Sequence, residues 1–332
     1  MTEPGASIPE DDFFTAVSEQ IIGWPRFTPE EVAGTAGIDY EETERLWSEL
    51  GFPPVAPTEV FFTDADVEVL RTLRELRSTG LVAPETTITM ARILGQTLSR
   101  VATAQAQTMA EVAGEGPGTP EEEADLAGYL DTVLASFDRF LGYVWRRHLV
   151  AALRRQRDSR PTEVVGFADI VGYTRLTAGE AIDTLPGLVA RFQEIASQHL
   201  TEAGGRVLKV IGDAVMFVAP DPLSAAGAAV AVSSTTAEDP GFPDVRIGIA
   251  MGPVVEVEGD IYGETVNRAS RLVELAHPGT VVVDDAMGNA LLDSDLRVRP
   301  MKPRRLKGLG MVPTWVVRPP RTRRPVGATG PG

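Results

Sequence analysis

Arg206-Val-Leu-Lys-Val-Ile-Gly-Asp-Ala-Val-Met-Phe-Val218 consists of two short strand-forming runs joined by a Gly-Asp dipeptide. β-Branched residues flank the dipeptide on both sides, and Gly-Asp is a pair that closes tight hairpins. The stretch predicts strands over Arg206 to Ile211 and Ala214 to Val218, with Asp213 in the turn. Upstream, the apolar run from Glu163 predicts a further strand, and Asp169 follows it within Phe167-Ala-Asp-Ile-Val-Gly-Tyr-Thr174. Two carboxylates delivered by neighbouring strand ends can hold a pair of hard divalent cations against a triphosphate, an arrangement suited to phosphoryl transfer. A single aspartate after a strand is ordinary turn chemistry, so the pair gains meaning only from what accompanies it.

Downstream lies Asp260-Ile-Tyr-Gly-Glu-Thr-Val-Asn267-Arg-Ala-Ser-Arg271, helical in character from Thr265 onward. Asn267 and Arg271 are four residues apart, so a helix projects both from one face toward a single ligand. Taken alone, that pair is a solvated helix face, and Lys307-Gly-Leu-Gly310 is a loop. In this order, the four runs make the region from Pro161 to Arg318 resemble the catalytic domain of class III nucleotidyl cyclases.

The resemblance implies a role for each matching position. Asp169 and Asp213 would bind two Mg2+ or Mn2+ ions, assisted by the carbonyl of Ile170. Lys209 and Asp260 match the pair that reads a purine, the ammonium donating to adenine N1 and the carboxylate accepting from the N6 amine; guanine presents the reverse polarity. Asn267 would orient the ribose, Arg271 would neutralise charge developing on the transferred phosphorus, and Lys307 would contact phosphate. Leu309 stands where relatives often carry a second lysine, which weakens the match at Lys307. The implied reaction is attack of the ribose 3′-oxygen of ATP on the α-phosphate, giving cyclic AMP and pyrophosphate. Metal and base-reading residues come from different subunits in that family, and this chain carries both sets, so the resemblance implies a homodimer with two shared sites.

Composition supports the lysine positions independently. The basic residues are 28 arginines and three lysines, and two of the three lysines are Lys209 and Lys307. A chain that otherwise chooses arginine has a compact ammonium where one donor must meet a ring nitrogen.

At 332 residues two domains are expected, and the charge divides accordingly. Residues 1 to 150 hold 10 Arg against 26 Asp plus Glu, whereas residues 151 to 332 hold 21 of each sign. The first half therefore carries the whole excess of negative charge. Affinity of the second half for a nucleotide must come from local groups rather than a general field. No run of apolar residues is long enough for a membrane span, the start is acidic rather than signal-like, and there is no cysteine. A cytoplasmic protein is expected.

The first half predicts an all-α regulatory domain over 1–150. Its expected helices are Pro9 to Ile22, Thr28 to Gly34, Tyr40 to Leu50, Thr63 to Ser78, Pro84 to Ala113, and Pro120 to Arg157, the last one connecting to the second half. Thr63 or Asp64 before apolar positions 67, 70, 73 and 76 gives the clearest amphipathic signal. Thr28 to Gly80 also resembles the winged helix-turn-helix of MerR-type regulators. Residues 28 to 80 contain 4 Arg against 12 Asp plus Glu, however, and DNA binding needs basic side chains facing the phosphates. The motif is expected to serve as scaffold. The alternative is a transcription regulator whose second half binds nucleotide without turnover.

The whole arrangement resembles soluble mycobacterial cyclases whose helical domain controls the catalytic one in response to pH or lipid. His148 in the connecting helix, beside Arg146 and Arg147, is the candidate proton-responsive residue, with neighbouring positive charge favouring its neutral form. An ordinary helix-surface histidine is the competing reading.

The catalytic domain, 151–318, predicts an α+β ferredoxin-like fold. Its expected strands include one continuous strand from Arg297 to Leu306, and its helices lie near Glu180 to Ala203, Pro222 to Thr235, Thr265 to Ala276 and Asp285 to Leu291. Residues 319–332 are expected to form a flexible tail.

Overall fold

The computed structural model describes residues 17–80, 82–113, 120–157, 162–173 and 185–320. The expected start at Pro9, the Gly114 to Pro120 loop, the beginning of the Glu180 helix and nearly all of the tail lie outside these residues. The chain divides into two compact units, Met1–Arg157 and Asp158–Gly332. The division falls beyond the expected boundary at 150 because the connecting helix continues to Arg157.

The first unit contains helices α1 (Pro29–Ala36), α2 (Tyr40–Glu49), α3 (Asp64–Ser78), α4 (Pro84–Ala113) and α5 (Pro120–Arg157). Local chemistry sets the short ones. Thr28 and Glu31 form a reciprocal capping box at α1, and Asp39 accepts the Glu41 N–H at 2.9 Å to cap α2. At α3 the Asp66 carboxylate accepts from both the backbone N–H and the hydroxyl of Thr63. Val32, Ala36, Leu46, Phe62, Val67, Leu70, Ile88 and Ala91 form the core of this unit. Leu76, which the apolar spacing assigns to the same face, is instead exposed.

The second unit is built on a seven-stranded sheet. Its first half runs β1 (Glu163–Ile170), α6 (Leu185–Glu202), β2 (Arg206–Ile211), β3 (Ala214–Ala219), α7 (Pro222–Glu238) and β4 (Val245–Gly252), the strand-helix-strand-strand-helix-strand order of a ferredoxin-like fold. The hairpin β5 (Val255–Val257) and β6 (Asp260–Tyr262) leads into α8 (Glu264–Leu275). Then follow β7 (Thr280–Asp284), α9 (Asp285–Ala290), β8 (Arg297–Pro300), the hairpin β9 (Arg304–Leu306) and β10 (Gly310–Val312), and β11 (Thr314–Arg318). The large sheet has the order β2-β3-β1-β4-β7-β11-β8, and all its neighbours are antiparallel except β4 and β7.

Both faces of the sheet are covered. Val164, Ala168 and Ile170 of β1 pack with Phe192 and Leu200 of α6 and the alanine-rich α7. Val165 and Phe167, pointing the opposite way, pack with Ala269 and Leu272 of α8 and with Leu306. Burial on both faces explains the near-continuous apolar character of the strand.

The single strand expected from Arg297 to Leu306 is two strands. Pro300 and Pro303 bracket the break, and proline offers no N–H to a ladder. The chain therefore leaves the main sheet after pairing β8 with β11 and starts a separate two-stranded ribbon in which β9 pairs β10.

Candidate active site

Asp213 sits in the two-residue turn predicted from the sequence. Ile211 and Ala214 are cross-strand partners, and Gly212 takes φ of 62°, a conformation that costs glycine nothing. Asp169 lies on β1 directly opposite Ala214, so the hairpin brings the carboxyl group of Asp213 onto that of Asp169. The two interact closely enough to hydrogen-bond. Burial, followed by the negative charge of Asp169 and that hydrogen bond, pushes the Asp213 carboxyl up to about 6, while its own backbone amide and Arg246 act in the opposite direction.

Arg246 belongs to the same cluster. It is the register partner of Asp169 across β1 and β4, and its Nε and Nη2 donate to Asp169 Oδ2 at 2.8 and 2.5 Å. The Asp169 side chain is only 15% exposed, so this two-pronged contact is formed largely out of water. Asp169, Arg246 and Gly248 all lie on the α8 side of the sheet, because alternate strand residues share a face. Ile170 ends β1 and is 1% exposed as a whole residue, its side chain in the opposite core.

A second cluster forms around Lys209, 51 residues from Asp260 in sequence and ion-paired with it in space. Burial works to raise the Asp260 carboxyl, but the Lys209 hydrogen bond, the Ile261 N–H at 2.9 Å and the charge of Lys209 together hold it below its usual value. Lys209 Nζ also lies 5.9 Å from the Tyr262 ring centroid, a cation–π contact. One hydrogen-bond donor and one acceptor are thus aligned side by side on β2 and β6.

Asn267 and Arg271 occupy successive turns of α8. Asn267 is exposed, and Arg271 donates to Glu274 Oε1 at 2.5 Å. Among the described residues, neither is bonded to the Asp169–Asp213 pair or to the Lys209–Asp260 pair. Lys307 is exposed in the three-residue turn between β9 and β10.

A family model described as "Adenylate and Guanylate cyclase catalytic domain" matches residues 158–319, and one described as "Adenylate cyclase regulatory domain" matches residues 11–157. The chain is 34% identical over 304 residues to an adenylate cyclase of Glutamicibacter nicotianae, covering 84% of this chain and 75% of that one. It is 32% identical over 344 residues to an adenylate cyclase of Streptomyces coelicolor, covering 93% and 90% respectively. The chain belongs to the adenylate cyclase family. A third relative of this adenylate cyclase is a pH-sensitive adenylate cyclase of Mycobacterium tuberculosis, 30% identical over 323 residues that make up 91% of this chain and 79% of that one.

Sequence reasoning did not single out Arg246 of the cyclase. Its signal was a lone cation opening the otherwise apolar run Val245 to Met251, but its meaning depends on the register that sets it against Asp169. In the part of the cyclase matched by the regulatory family, the helix-turn-helix is present as α1 and α2, and Phe27 bridges Phe62. Glu41 and Glu44 are exposed on α2 beside Arg45 and Ser48, an acidic surface that opposes a phosphate backbone. His148 is exposed on α5. No helix among the described residues is long and apolar enough to cross a membrane.

Proposed function

We propose that this chain converts ATP to 3′,5′-cyclic AMP and pyrophosphate in a homodimer whose two active sites are each shared between subunits. The observation that carries the reading is the convergence of Asp169 and Asp213 at one end of the β2–β3 hairpin, with the Lys209–Asp260 pair on the same hairpin and its neighbour.

The carboxylate pair fits a metal. Two neighbouring oxygen-donor side chains, one of them pushed up to about 6 first by burial and then by the charge of the other, are short of positive charge, and Arg246 supplies some of it. Among the described residues there is no group of three or more His, Asp or Glu side chains placed to hold an ion. Two carboxylates with the Ile170 carbonyl are nevertheless what Mg2+ or Mn2+ needs when substrate phosphates complete the coordination. Two such ions, when bound, would neutralise triphosphate charge and ease ionisation of the attacking hydroxyl.

The remaining roles belong to the chain. The Lys209 ammonium donates to adenine N1 and the Asp260 carboxylate accepts from N6, replacing the bond they make to each other. Arg246, released from Asp169 as the carboxylate takes up other partners, is positioned to meet a phosphate. Relative to the subunit that supplies Asp169 and Asp213, the base-reading pair belongs to the partner, as do Asn267, which holds the ribose so that its 3′-oxygen faces the α-phosphate, and Arg271, which balances the negative charge that grows there. Lys307 adds a further phosphate contact. The reaction breaks the bond between the α-phosphorus and its bridging oxygen, which leaves with pyrophosphate.

Exposed apolar side chains support the dimer. Ile211, Val255, Val257, Tyr262 and Met311 are each close to half exposed or more, on the hairpins that carry or flank Asp213, Asp260 and Lys307. Regulation is proposed to enter through residues 1–150 and the connecting helix α5, with protons or a lipid as effector and His148, flanked by Arg146 and Arg147, as the proton-responsive group. Incubating the purified chain with ATP and Mn2+ tests the central reading. Cyclic AMP is the expected product, and its absence at every protein concentration would leave only nucleotide binding.

A further inference from the structure

Between Asn267 and Arg271 on α8 lies Arg268, which is partly buried and turned toward the protein. Its Nη1 donates to Asp284 Oδ2 at 3.1 Å and its Nη2 to Glu264 Oε1 at 2.5 Å. Asp284 is 0% exposed. Its Oδ1 accepts the Met287 N–H at 3.0 Å, capping α9, and its Oδ2 also accepts the Met251 N–H at 3.4 Å from the end of β4. One carboxylate therefore ties together α8, α9, β4 and β7, the strand on which it sits.

This arrangement is costly for a purely structural role. Burial raises the Asp284 carboxyl above its ordinary value despite the Met287 N–H and Arg268, and Arg268 Nε is buried without a hydrogen-bond partner. A buried ion pair is weak evidence of stability, and the best-attested use of such a pair is to specify one arrangement of the parts it joins. What this pair specifies is direction. With 3.6 residues per turn, Asn267 and Arg271 fall about 100° and 60° to the same side of Arg268. Fixing the planar guanidinium on Asp284 fixes the roll of the helix, and with it the direction of both ligand-facing side chains.

Beneath α8, Ala269 and Leu272 are fully buried in an apolar core. The helix lies directly on the backbone of Gly248, where a Cβ would come within 2.6 Å of the Ala269 carbonyl oxygen. The backbone contact lets the helix approach closely, and the apolar packing around it is non-directional, whereas the ion pair favours one orientation.

We infer that Arg268 and Asp284 are positioning residues, a buried ion pair that sets the roll of α8 and so aims Asn267 and Arg271 at the substrate; this rests on the roles proposed for those two residues above. The experiment compares Arg268→Gln, Arg268→Lys, Asp284→Asn and, as a control, Asn267→Ala in the full-length chain, measuring kcat and KM for ATP together with thermal unfolding. Asp284→Asn keeps an acceptor for the α9 cap while removing the charge. The expected result is folded Arg268→Gln and Asp284→Asn proteins with kcat lowered about 10- to 100-fold and KM changed far less, the mark of misaligned reacting groups. Arg268→Lys, which can still meet Asp284, should recover part of the loss. Folded variants with unchanged kcat, while Asn267→Ala is impaired, would overturn the positioning role. So would failure of both Arg268→Gln and Asp284→Asn to fold, which would mark the pair as structural. An Asn267→Ala protein with full activity would instead remove the reading of α8 on which the inference stands.

Discussion

Arg246 and Asp169 face each other across β1 and β4 as register partners, and the arginine grips one carboxylate oxygen through two nitrogens at 2.8 and 2.5 Å. The pairing puts a fixed positive charge beside two close carboxylates that would otherwise repel each other in a poorly solvated place. It leaves Asp213 as the member of the cluster whose charge is least compensated.

A consequence for pH follows from Asp213. Its folded-state value near 6 stands above the ordinary 3.8, so its ionisation weakens the fold. Its contribution to stability is fully present below about 4 and is lost as pH rises through about 6. Asp213→Asn should therefore melt higher than the parent at pH 7 to 8 in the presence of a chelator, with the gap closing toward pH 4. Added Mn2+ should stabilise the parent and not the variant, and turnover should disappear in the variant. Calorimetry with and without Mn2+ checks this; an unchanged metal response would remove Asp213 from the cation site.

The proposed sharing of sites between subunits makes a mixing experiment informative. Asp169→Ala and Asn267→Ala chains should each be inactive alone. Co-refolded in equal amounts they should recover about a quarter of wild-type activity, because half the dimers are mixed and one of their two sites is complete. No recovery, with dimers demonstrated by sedimentation, would place each site within one chain.

Base choice should follow the Lys209–Asp260 pair. Replacing them together by Glu and Cys removes the donor for N1 and the acceptor for N6. The preference for ATP over GTP in kcat/KM should fall by at least about 100-fold, since a site built around specific hydrogen bonds discriminates strongly through them. Unaltered selectivity would mean that the purine is read elsewhere.

Gly248→Ala tests how tightly α8 is seated. The added methyl meets backbone atoms of Ala269, Leu272 and Val273, none of which can swing aside as a side chain would. A loss of about 1–3 kcal/mol is expected in denaturant unfolding monitored on the catalytic unit. A neutral effect would show that the helix can lift from the sheet freely.

For regulation, His148→Gln should move the midpoint of the activity-versus-pH curve of the full-length chain while leaving the maximal rate in place. A superimposable curve would reject His148 as the proton-responsive group and shift attention to other residues of the regulatory unit.

Much of the site was legible because its residues are held by short local devices. Gly212-Asp213 announces a two-residue turn whatever surrounds it, and Asn267 and Arg271 share a helix face by spacing alone. The ends of the chemistry were harder to see. Arg246 acquires its place from a strand register, and Arg268 and Asp284 meet across 16 residues through the packing of α8 on the sheet. The continuous strand expected from Arg297 to Leu306 failed because periodicity continued across two prolines whose missing N–H groups end the pairing.

The sequence by itself determined the helices of the catalytic unit, the acidic character of the first unit and the turn that delivers Asp213, since each depends on residues within a few positions of one another. Only the tertiary structure decided that Asp213 meets Asp169, that Arg246 of β4 grips Asp169, that Lys209 finds Asp260, and that a fully buried Asp284 accepts from Arg268 of α8. Those contacts depend on sheet order and register, which are settled by the burial of two apolar faces at once and are not encoded in any single stretch.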